Sequence, residues 1–391
     1  MFDHFDDDAD TILEEQIRIC EIPAPTGQES ARAAYVADAL SALGLDVHQD
    51  HVGNVIAEHE LATGSPVVLS AHLDTVFGPE QPVRVARPGK ANPYRDSEAV
   101  PEGEYHAPGI SDAAAGLAAM LTIARALQRT PQSPHVVYLA TVGEEGRGDL
   151  RGARHFFESE LGRSSRAFVT IDHSDPEAVV NGGIGSRRYN VRYRSNGGHS
   201  WAHFGRYNPA FALSAAADRL ADIRVPRRPR TSYNVGVVHG GETVNAIPEL
   251  AQMDIDLRSE SPEQLDRLDE DVQEIIQRGH QRELRRRSKG ALDPVISRIG
   301  DRPAGVTAVD SPLVQAACRA LQAEGFAPRT IAASTDANAA MAAGVPAVAM
   351  SWGGRSDNQH SVREWFDPAD RSRSLRVITR MLLELAQQDA D

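Results

Sequence analysis

Short, unbroken apolar runs recur along this chain, and several close on a residue that can bind a cation. Val67-Val68-Leu69-Ser70-Ala71 leads into His72-Leu73-Asp74, and Val137-Tyr138-Leu139-Ala140-Thr141 into Gly143-Glu144-Glu145-Gly146. Phe168-Val169-Thr170-Ile171 leads into Asp172. Apolar strands without a polar alternate are covered on both faces, which is the habit of parallel sheets. Helical patterns separate these runs. The stretch 113–124 is apolar nearly all round and predicts a buried helix to about Arg129, with Asp112 placed to cap it. The alternation predicts an α/β fold, a mostly parallel sheet covered by helices.

The pattern changes after Gly182-Gly183. Tyr189-Asn190-Val191-Arg192-Tyr193 and the stretch 251–257 alternate polar with apolar, as strands with one wet face do. Helical stretches fall near 209–223 and 262–287, the second opened by the cap sequence Ser261-Pro262-Glu263-Gln264. The basic residues 282–289 lie at the end of that helix, where the macrodipole favours them, and need no anionic ligand. Strand–helix alternation returns from Pro312. The expected organisation is a first domain split into residues 1–182 and 303–391, with an α+β domain of residues 183–302 inserted. A length of 391 residues suits two domains. The segment 83–106, rich in Pro, Gly and charge, reads as a surface loop.

The net charge of −14 argues against nonspecific nucleic-acid binding, which needs a basic surface. Two cysteines, Cys20 and Cys318, cannot build a disulfide framework and suggest a reducing compartment. The acidic start of the chain lacks the basic and apolar regions of a signal peptide, and no apolar run is long enough to span a bilayer. The expected location is the cytoplasm, without a membrane partner. Gly182-Gly183-Ile184-Gly185 lacks a third glycine and precedes a strand pattern, so it is no dinucleotide loop.

In open α/β sheets, sites form outside the carboxyl ends of the strands, so residues distant in sequence meet there. His72, Asp112, Glu145, Asp172 and His360 supply two imidazoles and three carboxylates, a set that suits two divalent zinc-like ions. Asp74 stands close enough to orient the His72 ring. A carboxylate has two oxygens, so Asp112 can bridge as well as cap. Adjacent Glu144 and Glu145 would repel each other without a cation nearby, and Glu144 is then left to take a proton from water. His173 and Asp175 compete with Asp172 for its place. The constellation reads as a metal-dependent hydrolase.

Motifs spread over nearly the whole chain resemble one family. They are Ile22-Pro23-Ala24-Pro25-Thr26-Gly27, Asp50-His51-Val52-Gly53-Asn54-Val55, Ala71-His72-Leu73-Asp74-Thr75-Val76, Gly109-Ile110-Ser111-Asp112, and Gly143-Glu144-Glu145-Gly146. Gly197-Gly198-His199-Ser200, Val244-Asn245-Ala246-Ile247-Pro248, Asp256-Leu257-Arg258 and His360 complete the series. In this order they resemble the M20 metallopeptidases and aminoacylases. The resemblance implies a zinc-exopeptidase-like domain and a ferredoxin-like lid that also dimerises. It implies one metal on His72 and Asp172, another on Glu145 and His360, Asp112 bridging them, Asp74 orienting His72, and Glu144 as general base. His199 would bind the tetrahedral intermediate, often from the neighbouring subunit, while Asn245 and Arg258 would hold substrate. Zinc is the expected metal, with cobalt or manganese as alternatives. Short peptides or N-acyl amino acids are the expected substrates, as for a carboxypeptidase or aminoacylase. Ureido or carbamoyl substrates and a non-catalytic binding role stay open. The run Asp112-Ala113-Ala114-Ala115-Gly116 departs from the acidic or polar residue and lysine that many members carry after the aspartate.

Overall fold

The runs Val67–His72, Val136–Thr141 and Ala167–Ile171 are buried at every position, as strands covered on both faces must be. In this computed structural model, which describes residues 4–59, 64–81, 83–130 and 135–387, they form the centre of a nine-stranded sheet. Val67–His72 lies between the other two and pairs parallel with both; Ala347–Met350 continues the parallel order beyond Ala167–Ile171. Antiparallel Val55–Glu58 and Asp46–Gln49 finish one side. The α/β reading holds, with a parallel centre and mixed edges. Asp46–Gln49 was not expected: it is polar and mostly exposed, so no apolar period marks it. The segment 83–106 is largely irregular but ends in a short strand, Tyr105–His106.

The helix expected after Asp112 is Ala114–Gln128, and the capping expectation fails. Ala113 occupies the cap position at φ 71° with no side-chain cap bond, and the Asp112 carboxylate turns toward histidines instead. The helix lies tight against the sheet because residue 116 is glycine. A Cβ there would stand 2.5 Å from the Ile171 carbonyl oxygen, directly before Asp172. Among the described residues no helix is long and apolar enough to cross a membrane. Cys20 and Cys318 are both free thiols.

The chain divides into two compact units, Met1–Gly183 with Val306–Asp391, and Ile184–Gly305. Apart from a pair of two-residue strands, the second unit runs strand, helix, strand, strand, helix, strand, and its main sheet order is Thr231–Gly240, Leu250–Ser259, Gly185–Ser195, Leu292–Arg302, all antiparallel. That is a ferredoxin-like split βαβ arrangement. Leu250–Ser259 alternates half-buried with buried residues, so one face packs under the helices Pro209–Ala221 and Pro262–Arg286. Ser261 caps the second helix by accepting from the Gln264 amide at 3.2 Å.

Candidate metal centre

The parallel register brings strand ends level, pairing His72 with Thr141 and Met350 with Ile171. Residues just beyond those ends therefore converge. His72 Nε2 lies 2.9 Å from Asp112 Oδ1 and 3.8 Å from Asp172 Oδ1. His360 Nε2 lies 2.8 Å from Glu145 Oε1 and 3.1 Å from Asp112 Oδ2. Within each trio the donor atoms stand within 4.8 Å of one another. Asp112 belongs to both, with one oxygen toward each histidine, which is what a bridging carboxylate requires. Imidazole nitrogen with carboxylate oxygen is a donor set that zinc-type ions accept.

The turn after Thr141 is held from below. Gly143 adopts φ 66°, and Asp74 accepts from the Glu144 amide at 2.9 Å and the Glu145 amide at 3.0 Å. Thr26 Oγ1 donates to the same carboxylate at 2.8 Å. Asp74 also stands 3.5 Å from His72 Nδ1. Its bonds from the backbone thus fix the two glutamates, a task the sequence did not reveal. Glu144 and Glu145 are both buried. Asp336, which no sequence motif marks, accepts from Thr141 Oγ1 at 2.5 Å.

His360 rides on a loop between the short strands Arg355–Asp357 and Trp365–Asp367, itself at φ 61° in the left-handed region. Non-glycine residues held there are strained and gather at functional sites. Just before the returning strand, buried Glu364 accepts from Gly109 N, Ser111 N, Ser111 Oγ and Asp112 N at 2.7, 2.8, 2.6 and 2.9 Å. Glu364 stands in none of the sequence motifs. The available signal was an acidic residue against the apolar pair Trp365-Phe366, four positions after a candidate ligand.

Charge is tightly coupled across the centre. Burial opposes a charged His72, yet the bond to Asp112 and the nearby Asp74 and Asp172 carboxylates outweigh it and hold its pKa well above the histidine range. Bonds to Asp112 and Glu145 push His360 up to about 11. Burial raises Asp172 well above the usual carboxylate range, His72 opposes the rise, and Asp112 and Asp336 add to it. Burial also works to raise Asp112, but its bonds to His360 and His72 prevail and leave it depressed. Imidazolium protons here offset the clustered carboxylates, which is the work a bound cation would take over.

His173 Nδ1 accepts from the Asp175 amide and Asp175 pairs with Arg329, so neither belongs to a trio. His199, Asn245 and Arg258 belong to the second unit. His199 lies on a two-residue strand paired with Ala246–Ile247, and its Nδ1 accepts from the Trp201 amide at 3.2 Å. His199 and Asn245 line one pocket of about 610 Å³ with Arg194, His239 and Glu242. Arg258 donates from Nε to Asp256 at 2.7 Å.

The parallel-centred sheet, with candidate donor atoms gathered beyond its strand ends, gives the first unit a zinc-exopeptidase-like α/β fold. The model of Peptidase family M20/M25/M40 matches residues 68–384, and the chain belongs to that family of hydrolytic enzymes. Over 239 residues it is 31% identical to a probable carboxypeptidase of Ajellomyces dermatitidis. That match covers 55% of this chain and 50% of that protein, so the chain spans about half the length of that curated relative. The aminopeptidase PepT of Bacillus cereus has a similar structure, with a TM-score of 0.75 at 19% identity over 97% of this chain and 99% of that one. The YXEP protein of Bacillus subtilis, a dinuclear metal binding peptidase, gives 0.69 at 14% over 98% and 99%. At these identities the structural likeness is one of fold.

Proposed function

We propose that this protein hydrolyses an amide bond in a short peptide or an N-acyl amino acid, using two divalent cations and Glu144 as general base. The observation that carries this reading is the pair of ligand trios sharing Asp112, beside a second buried glutamate that neither trio uses. His72 and Asp172 would hold one cation, Glu145 and His360 the other, with Asp112 between them. Zinc suits the donors best, with cobalt or manganese as substitutes. Bound there, the cations supply Lewis acidity and lower the pKa of water to about 7. Glu144 takes a proton from the attacking water and returns it to the leaving amine. Asp74 keeps Glu144 and Glu145 on one rigid turn while the proton moves, and orients the His72 ring.

The second unit serves as the lid. His199 donates to the developing oxyanion, and Asn245 and Arg258 hold a substrate carboxylate. The similarity to a probable carboxypeptidase favours substrates that carry one. The unit is also proposed to join two copies. Its edge strand Thr231–Gly240 carries exposed Val237 and Val238, and Trp201 is 88% exposed, features suited to covering by a partner. The free thiols favour a reducing, cytoplasmic setting. Metal-loaded protein should be assayed on dipeptides, tripeptides and N-acetyl, N-succinyl and N-carbamoyl amino acids. Turnover confined to N-carbamoyl compounds would replace the amide reading with a ureido one. Metal content with no turnover on any of them would leave a binding protein.

A further inference from the structure

Glu364 is fully buried, with both carboxylate oxygens engaged by a single turn of chain. Oε2 accepts from Gly109 N, and Oε1 accepts from Ser111 N, Ser111 Oγ and Asp112 N. The turn ends at Asp112, whose oxygens face His72 and His360. The backbone around Glu364 ties the same two segments together. Its amide donates to the Ser361 carbonyl, its carbonyl accepts from Ala107 N, and the next residues pair with Tyr105–His106. One hairpin therefore carries His360 in its loop and, through Glu364, grips the segment that presents Asp112.

We propose that Glu364 is a positioning residue for the metal centre, holding the Asp112 carboxylate where both trios can share it. The inference rests on the two-cation reading. An uncharged side chain would close this turn without placing another carboxylate beside Asp112, a like-charge arrangement that is unfavourable in a buried site. Two divalent cations change that balance. Asp112, Glu145 and Asp172 bring three negative charges against the four positive ones of two divalent cations, and the cations would offset the repulsion between the Glu364 and Asp112 carboxylates. The carboxylate thus accepts four bonds from the turn and holds it fixed.

The test compares zinc affinity and fold stability in Glu364→Gln, measured by competition against a chelating dye and by thermal unfolding of the metal-free protein. Glutamine keeps the volume and can keep the acceptor facing Ser111 and Asp112, but sets an NH2 against the Gly109 amide. Loss of an outer partner of a metal ligand commonly weakens metal binding or activity by about 10- to 100-fold, and that loss is expected here with the metal-free fold retained. Zinc binding as tight as in the wild type, with only the melting temperature lowered, would overturn the proposal. Should Glu364→Gln not fold, Ser111→Ala removes one of the four bonds and leaves the carboxylate. It is expected to weaken zinc several-fold, and unchanged affinity overturns the proposal equally. Zinc affinity is read without substrate. A wild-type protein that binds two zinc ions yet hydrolyses nothing would sink the amide-hydrolase reading and leave this inference standing.

Discussion

His72, Asp74, Glu144 and Glu145 are each at most 6% exposed, whereas in the second unit His199 and Asn245 stand open to solvent and Arg258 keeps 43% of its side chain exposed. The first group follows buried strand ends and is held by hydrogen bonds between distant segments. The second sits on short or alternating strands with local partners. A polar group taken out of water must find its bonds in the protein, so burial fixes its place before any ligand arrives. Exposed groups carry no such obligation, and their place is settled by what comes to them. Substitutions in the first unit should therefore act on one chain at a time. Those in the second should depend on substrate and, if the proposed dimer forms, on the second copy.

The largest effect is expected from Asp112→Ala, which removes a donor from both trios at once. Outer partners of metal ligands already cost about 10- to 100-fold, so a shared donor should exceed that in activity, and metal content should fall below two per chain by elemental analysis. Full metal content would break the idea of a shared carboxylate. Glu144→Gln is expected to lower kcat by at least ~10²-fold with metal content unchanged, the usual size of a general-base contribution. Near-normal turnover would remove Glu144 from the proton path.

His199→Ala should approach these losses from the exposed side. An oxyanion donor contributes about 3 kcal/mol, and its loss should leave metal binding intact. Mixing inactive Glu144→Ala and His199→Ala subunits tests where His199 works. Action in trans restores activity, because one site of the mixed dimer has both residues whole. Silence after demonstrated subunit exchange would confine His199 to its own chain and weaken the contrast between the units.

Protons provide a gentler probe of the buried group. His360 is raised from its ordinary 6.5 to about 11 in the metal-free protein, mainly by bonds to Asp112 and Glu145. Its favourable pairing is fully present below the unfolded value and is lost as pH rises through the raised one. Metal must displace that proton, so affinity should tighten by about tenfold per pH unit for each proton released. Calorimetry in buffers of different ionisation enthalpy counts those protons. Affinity unchanged between pH ~6 and ~8 would mean that His360 is not a ligand.

What the sequence made legible follows the same division. Fully apolar strand runs announced the sheet, and the acidic or histidine residues at their ends announced the centre. Asp112 was half legible: an aspartate before an apolar helix looks identical whether its carboxylate caps that helix or faces a histidine 40 residues away. Glu364 was illegible because its hairpin strands, Arg355–Asp357 and Trp365–Asp367, are too short to show a period, and its partners lie more than 250 positions upstream. Asp74 was legible as a neighbour of His72, but its grip on Glu144 and Glu145 depends on two strands lying side by side, which spacing alone does not convey.

The smallest effect should come from Arg258, and it separates two readings of an exposed cation. Its guanidinium donates to Asp256, whose other oxygen accepts from Arg188. An exposed pair of this kind contributes about 0 to 1 kcal/mol, so Arg258→Ala should barely change unfolding. If Arg258 instead receives a substrate carboxylate, a charge-assisted bond of about 1.5–3 kcal/mol is lost, and KM should rise about tenfold or more with kcat nearly constant. Asp256 then acts as a competitor that the substrate displaces. Asp256→Asn should leave Arg258 readier for a carboxylate and lower KM, while an arginine that serves only the sheet would show no change in KM for either variant. A KM that stays level in both assigns Arg258 to the sheet and leaves the substrate carboxylate to other residues.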